Sequence, residues 1–281
     1  MQLVTFIKKM QQLSLSLKRK GKKISFVPTM GALHQGHLTL VKKAKELGDF
    51  VVVSIFVNPT QFGPKEDYKK YPRDLKKDNK LLQKAGCDLI FAPKVEDIYP
   101  EGYLTYVEVE ELSERLEGAS RPGHFRGVCT VVAKLFNIVQ PDFALFGQKD
   151  AQQAIIIKKM TEDLNFPVKI IVCPTVREKD GLACSSRNSY LNAEERSQAK
   201  ILYPSLKLGG KMIKAGEKNP LKIIKKVREL IEKMPLAKID YVVLTDVEKL
   251  EPVKSIKGEL LLSLAVKFGK TRLIDNLKIC V

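Results

Sequence analysis

The sequence predicts an α/β fold: a parallel sheet with helices on both faces, followed by a smaller α+β C-terminal domain. Two observations carry this. From residue 24 to residue 173, nearly all-apolar runs of strand length alternate with amphipathic runs of helical length. Strands apolar on both faces belong to a sheet that is covered on both sides. The loops that follow the carboxyl ends of these runs, at 28–37, 58–64, 147–150 and 174–187, are also those dense in Gly, Asn, Gln, His, Lys, Ser and Arg. Ligands of such sheets bind just beyond the strand carboxyl ends, so the coincidence points to an enzyme.

Taken in order, residues 2–17 carry Leu3, Phe6, Ile7, Met10, Leu13 and Leu17 at helical spacing. A basic turn at 18–23 leads to a strand at 24–28. A helix over 37–47 stops at Gly48, a usual stop residue. A strand at 50–57 is followed by a helix over 74–85, closed by Gly86, and a strand at 88–92. Residues 103–109 read as a short strand, 112–116 as one or two helical turns, and 118–127 as a Gly- and Arg-rich loop. An apolar helix over 128–139 ends before Pro141. A strand at 143–146, a helix over 151–164 and a strand at 168–173 complete the alternation. Beyond Pro174 it stops: helices at 193–216 and 219–234 precede short strands at 241–244, 260–266 and 272–275. The expected division is a nucleotide-binding catalytic domain over 1–175 and a smaller domain over 176–281.

The 281 residues can bury a large core. Apolar stretches reach only about seven residues, against the roughly 20 that cross a bilayer. No signal-peptide pattern is present, and a cytoplasmic, non-membrane protein is expected. Five cysteines without C-x-x-C spacing read as buried free thiols. The net charge of +17 suits anionic substrates. The lysines are spread along the chain rather than gathered in one stripe interleaved with aromatics, so no nucleic-acid partner is expected.

The densest chemistry lies in Pro28-Thr29-Met30-Gly31-Ala32-Leu33-His34-Gln35-Gly36-His37, a strand end, a glycine-bearing turn and a helix start. It holds two of the three histidines of the chain. Their i, i+3 spacing puts both rings on one helical face, where the helix N-terminus adds N–H donors and partial positive charge for phosphate. A zinc helix would want i, i+4 histidines with a glutamate between them, and there is none. Gly147-Gln148-Lys149-Asp150 joins a strand to a helix: Lys149 can neutralise a phosphate, and Asp150 can cap the helix. Gln153 lies one turn on. Ser185-Ser186-Arg187-Asn188 offers hydroxyls and a bidentate guanidinium, or is an ordinary loop. Asn58 and Gln61 can bind hydroxyls or carboxylates, or form Asx-turn contacts beside Pro59. Arg121-Pro122-Gly123-His124-Phe125-Arg126-Gly127 is an anion-binding loop or a solvated connection. Asp78 is a candidate for Mg²⁺ through phosphate oxygens, or a residue of a solvated helix face.

These motifs, with Phe56-Val57-Asn58-Pro59-Thr60-Gln61-Phe62 and Tyr71-Pro72-Arg73, resemble in order and spacing those of the pantoate–β-alanine ligases, over residues 24 to 192. The histidine motif alone is similar to the wider HxGH nucleotidyltransferase superfamily, which includes class I aminoacyl-tRNA synthetases. The resemblance implies a Rossmann-like nucleotide domain and a two-step ligase reaction. Pantoate attacks the α-phosphate of ATP to give pantoyl adenylate and pyrophosphate; β-alanine then displaces AMP. It also implies roles for residues: His37 and His34 on the ATP phosphates, and Lys149, Ser185 and Arg187 stabilising phosphate charge. Met30, Gly31, Ala32, Leu33, Gln35, Gly36, Gly147, Gln148, Asp150, Val176, Cys184 and Ser186 would line the nucleotide site. Gln61, Gln153, Asn58 and Arg121 would bind substrate, and Asp78 would lie on the Mg²⁺ side. A cytoplasmic homodimer is implied. Cys184 departs from the methionine expected before the Ser-Ser-Arg run. Two other readings are an RNA-associated relative of the aminoacyl-tRNA synthetases and a nucleotidyltransferase acting on a phosphate-bearing substrate. The first is disfavoured because no anticodon-type domain is visible; the second leaves Gln61 and Gln153 without a carboxylate or hydroxyl to hold.

Overall fold

Buried β-branched and aromatic residues build the strands, and amphipathic runs cover them. The structure, a computed structural model, describes residues 1–64 and 66–281. It forms two units, Met1–Gly147 with Gln152–Cys173, and Gln148–Ala151 with Pro174–Val281.

The first unit contains β1 (Gln2–Val4), α1 (Ile7–Arg19), β2 (Ile24–Thr29), α2 (Gln35–Leu47), β3 (Phe50–Ile55), α3 (Leu75–Ala85) and β4 (Leu89–Phe91). Two short helices, α4 (Val95–Ile98) and α5 (Glu117–Ser120), precede α6 (His124–Val139), β5 (Phe143–Gly147), α7 (Ala151–Asp163) and β6 (Lys169–Cys173). Among the described residues the sheet has six strands in the order β1-β4-β3-β2-β5-β6, every pairing parallel. From β2 the chain crosses over to β3, on one side; from β5 it crosses to β6, on the other. Adjacent β2 and β5 therefore form the topological switch point where such sheets bind ligands. Pro28 brings no N–H to either ladder, and the β2–β5 pairing covers only Ser25 and Phe26. Val27, Val51, Val53, Ile90 and Leu145 pack with Leu40, Val41, Ala44 and Leu82 of the helices. Each of these Val, Leu and Ile side chains contributes roughly 1.5–3 kcal/mol on burial.

The second unit carries α8 (Ala193–Ala199), α9 (Leu202–Lys214) and α10 (Pro220–Ile231), then the antiparallel sheet β7 (Ala237–Asp246), β8 (Glu259–Phe268), β9 (Thr271–Cys280). Leu206, Ile213, Ile223 and Val227 pack on Leu262, Leu264, Val266 and Ile279.

Several elements differ from expectation. Residues 2–4 are an edge strand paired with 89–91; Leu3 and Phe6 fit the helical spacing but are exposed, and the helix begins at Ile7. Residues 103–109 form no strand. Side chains of α6 hold this segment: Thr130 Oγ1 accepts from Val107 N–H at 3.0 Å, Arg126 lies 4.2 Å from the Tyr106 ring centroid, and Lys134 lies 4.3 Å from that of Tyr103. The expected 118–127 loop is mostly helical, because α5 covers 118–120 and α6 starts at His124 rather than 128. The 193–216 helix is broken after Ala199: Pro204 has no N–H for the Lys200 carbonyl four residues back. The three C-terminal strands run ten residues each, longer than expected. Cys280 is exposed, whereas the other four thiols are buried.

Candidate active site

Thr29 ends β2 with its hydroxyl donating to Ser54 O at 2.7 Å and accepting from Gly31 N–H at 3.2 Å. The chain then turns through two left-handed residues, Gly31 at φ 78° and Ala32 at φ 51°. A side chain at 31 would meet Asp78 Oδ2 at 2.9 Å and Ile55 at 3.1 Å, so glycine is required there for space as well as for φ. Buried Asp78 reaches in from α3. Its Oδ2 accepts from Ala32 N–H at 3.0 Å, and its Oδ1 accepts from Leu33 N–H at 2.9 Å. Burial pushes its carboxyl above the ordinary range, against the two N–H bonds that lower it.

His34 is the N-cap of α2. Its Nδ1 accepts from Gly36 N–H at 3.2 Å, while His37 Nδ1 accepts from His34 N–H at 3.3 Å. This is a capping box made by two imidazoles instead of the usual hydroxyl and carboxylate. The ring centroids are 4.1 Å apart. With each Nδ1 accepting, the neutral rings carry their proton on Nε2. The cap thus fixes both the tautomer and the orientation of the pair.

Beside β3, Asn58 is buried and fully engaged. Its Nδ2 donates to Gln61 Oε1 at 3.1 Å and to Gly127 O at 3.0 Å; its Oδ1 accepts from Tyr99 OH at 2.8 Å and Thr60 Oγ1 at 3.0 Å. Gln61 Nε2 donates to Met30 Sδ at 3.1 Å. The Gln61 carbonyl accepts from His124 Nδ1 at 2.8 Å. Arg121 grips Glu66 with two bonds of 2.7 and 2.6 Å and lies 3.0 Å from His124 Nε2. A guanidinium only donates and a carbonyl only accepts, so His124 is the neutral Nδ1–H tautomer. Burial, and then the Arg121 charge, bring its pKa down to about 4.

In the second unit, Lys149 Nζ is 3.1 Å from Asp150 Oδ1. The Lys149 and Gln148 carbonyls each accept from Asn276 Nδ2 of β9 at 2.9 Å. Cys184 N–H donates to Val176 O at 2.9 Å, closing the loop before Ser185, which caps the turn Ser186–Tyr190 by accepting from Arg187 N–H at 3.3 Å. Asn188 is anchored to Glu178 at 2.6 Å.

In the first unit the histidine turn, Asp78 and Met30 are thus joined, as are Asn58, Gln61, Arg121 and His124. Gln153 is half-buried on the first turn of α7, while its neighbour Gln152 points inward, donating to Leu112 O and Arg115 O. Each Asp78 oxygen accepts one backbone N–H of the histidine turn and so helps to hold it. Among the described residues no group of three His, Cys, Asp or Glu could hold a metal ion. Arg121 works on Glu66, His124 and the Gln61 loop. Sequence reading missed the roles of Asp78, His124 and Asn276. The only signals for them were an acidic residue on an otherwise basic helix, a third histidine, and nothing for Asn276.

The family model described as pantoate-beta-alanine ligase matches residues 2–278. The chain belongs to the pantoate–β-alanine ligase family. It is 59% identical over 259 residues, 92% of each chain, to the pantothenate synthetase of Pelotomaculum thermopropionicum. To that of Carboxydothermus hydrogenoformans it is 57% identical over 277 residues, 98% of each. Among solved structures, pantothenate synthetase from Thermus thermophilus aligns over 100% of both chains with TM-score 0.95 and 46% identity. The Francisella tularensis pantoate-beta-alanine ligase, complexed with beta-gamma ATP and beta-alanine, aligns over 99% of this chain and 97% of that one with TM-score 0.81 and 40% identity. The enzyme is accordingly an acid–amino-acid ligase, and the reaction of this family is the ATP-dependent condensation of pantoate with β-alanine. The α/β sheet and the small antiparallel C-terminal sheet agree with those structures. Among the described residues no helix is long and apolar enough to cross a membrane.

Proposed function

We propose that this ligase works through its histidine turn. ATP binds with its phosphates at the N-terminus of α2, and pantoate carboxylate oxygen attacks the α-phosphorus. The P–O bond to the β-phosphate breaks and pyrophosphate leaves. The β-alanine amine then attacks the acyl carbon, AMP leaves with the C–O–P oxygen, and the amine loses a proton to give pantothenate. His37 and His34 present Nε2–H to phosphate oxygens as charge develops, His37 being the proton donor. Lys149, Ser185 and Arg187 act on the same phosphates. Preorganised donors of this kind contribute roughly 3 kcal/mol each. The backbone at Gly147, Asp150 and Val176 holds the nucleoside, with Met30 to His37, Gln148, Cys184 and Ser186 lining it.

Gln61 and Gln153 hold pantoate. Gln61 rests on the thioether of Met30, a weak acceptor that a hydroxyl or carboxylate oxygen replaces readily. Asn58 and Arg121 shape that subsite by fixing Gln61 rather than by touching the acid. Mg²⁺ bound with the nucleotide would neutralise phosphate charge, with Asp78 on that side of the site. Residues 1–175 act as the catalytic domain and 176–281 as the smaller partner domain, in a cytoplasmic homodimer.

The double imidazole cap supports this reading most directly, since it commits both Nδ1 atoms and leaves Nε2 as the proton-bearing nitrogen of each ring. The test is AMP release, which should require pantoate and β-alanine together, with pyrophosphate exchange into ATP requiring pantoate alone. Exchange driven by an amino acid in place of pantoate would overturn it.

A further inference from the structure

The C-terminal sheet reaches a loop that the reaction uses. On β9, the adjacent residues Asp275 and Asn276 are both buried, polar and fully bonded. Asn276 Nδ2 donates to the carbonyls of Gln148 and Lys149, at 2.9 Å each, and its Oδ1 accepts from Gln148 Nε2 at 3.0 Å. One side chain thereby satisfies two successive carbonyls in the turn Gln148–Asp150 and one of its side chains. Asp275 makes a bidentate pair with Arg177, at 2.6 and 3.0 Å. Arg177 also donates to Gly181 O at 3.2 Å and stacks 3.6 Å from the Tyr203 ring centroid. Two consecutive residues of one strand thus hold the starts of two loops, one bearing Lys149, the other leading to Ser185 and Arg187. The 148–151 segment groups with the C-terminal unit rather than with the sheet it follows in sequence.

We infer that Asn276 is a positioning residue for the adenylation step, setting the backbone from which Lys149 projects. The inference rests on Lys149 acting on phosphate. An asparagine suits the place because two carbonyls must be met by two N–H donors on one nitrogen, while the Gln148 amide needs an acceptor beside it. No apolar residue or carboxylate supplies both. Misplacing a group that neutralises transition-state charge by about 1 Å can cost on the order of a hundredfold in rate. Asn276 touches neither nucleotide nor acid in this scheme, so its whole effect on turnover passes through the 148–149 backbone.

The experiment is a double-substitution cycle on pantoate-dependent pyrophosphate exchange, with Asn276→Ala, Lys149→Ala and the pair, each also melted. Asn276→Ala should lower the exchange rate at saturating ATP about tenfold or more. The double variant should be no slower than Lys149→Ala alone. If Asn276→Ala does not fold, Asn276→Asp replaces it: this nearly isosteric change keeps the acceptor for Gln148 and removes both donors. Multiplicative losses, or an Asn276 variant that melts lower but exchanges at the wild-type rate, would make the residue merely structural and overturn the inference. A Lys149→Ala enzyme with normal exchange would instead overturn the reading of Lys149.

Discussion

The Arg121 guanidinium lies 3.0 Å from Nε2 of His124, and this contact leaves the imidazole one protonation state. A proton on Nε2 would face a cation, so the ring stays neutral with its Nδ1–H on the Gln61 carbonyl. The folded pKa of about 4 lies below the ordinary 6.5. Between those values the unfolded chain binds the extra proton, so stability rises with pH through this window. The contribution of His124 is complete above pH 6.5 and is lost as pH falls toward 4, about 3 kcal/mol across the span. His124→Gln should show a shallower acid limb than the wild type in urea denaturation from pH 7 to pH 4. Parallel limbs would mean that the ring titrates normally in the fold.

Asp78 supports the histidine turn with a precision that Asn cannot copy. Two backbone N–H groups need two acceptors, and the Asn amide nitrogen would point hydrogens at one of them. Leaving a buried N–H without a partner costs about 1–3 kcal/mol. Asp78→Asn should therefore lower stability by that order and slow adenylation at least about tenfold, through the displaced turn. Normal adenylation at reduced stability would separate Asp78 from the chemistry.

How legible this was in the sequence can be judged from these residues. The parallel sheet was legible because its strands are apolar on both faces, a property of the residues themselves. The histidine turn was legible because its signal is local: a strand end, glycines and a helix start within ten residues. The turn-holding roles of Asp78 and Asn276 were not, since each acts on a turn distant in sequence; Asp78 stands out only as the acidic residue of a basic helix, and Asn276 looks like any polar residue of its strand. The short strand at 2–4 was hidden because Leu3 and Phe6 fall by chance on the helical repeat. The extended segment 103–109 has strand composition but meets the side chains of α6 instead of a neighbouring strand. Strand order follows from tertiary pairing, to which the periodicity of a single run is blind.

The two roles of His37 can be separated. Its Nδ1 belongs to the cap and its Nε2 to the proposed chemistry. His37→Asn keeps an acceptor near the Nδ1 position and removes Nε2. His37→Ala removes both and loses about 1 kcal/mol of capping as well. Both variants should lower pantoate-dependent pyrophosphate exchange by roughly a hundredfold or more, while only the alanine variant melts appreciably lower. A His37→Asn enzyme with near-normal exchange would remove Nε2 from the mechanism.

Gly127 offers a test in which two effects oppose each other. It lies within α6, where alanine would ordinarily be favoured by about 1 kcal/mol. Here an added Cβ would meet Thr60 O at 2.4 Å and Gln61 N at 2.7 Å, backbone atoms with no flexible end to swing away. Overpacking of this kind costs typically 1–3 kcal/mol, so the contact should outweigh the propensity. Relief comes only by moving the turn Pro59–Gln61 away from α6, which also strains the Asn58 bond to the Gly127 carbonyl. Since Gln61 is the proposed pantoate ligand, Gly127→Ala should raise the KM for pantoate more than that for ATP, along with a lower melting temperature. An alanine variant that is stabilised and binds pantoate normally would show that helix propensity wins and that the turn gives way without consequence for Gln61.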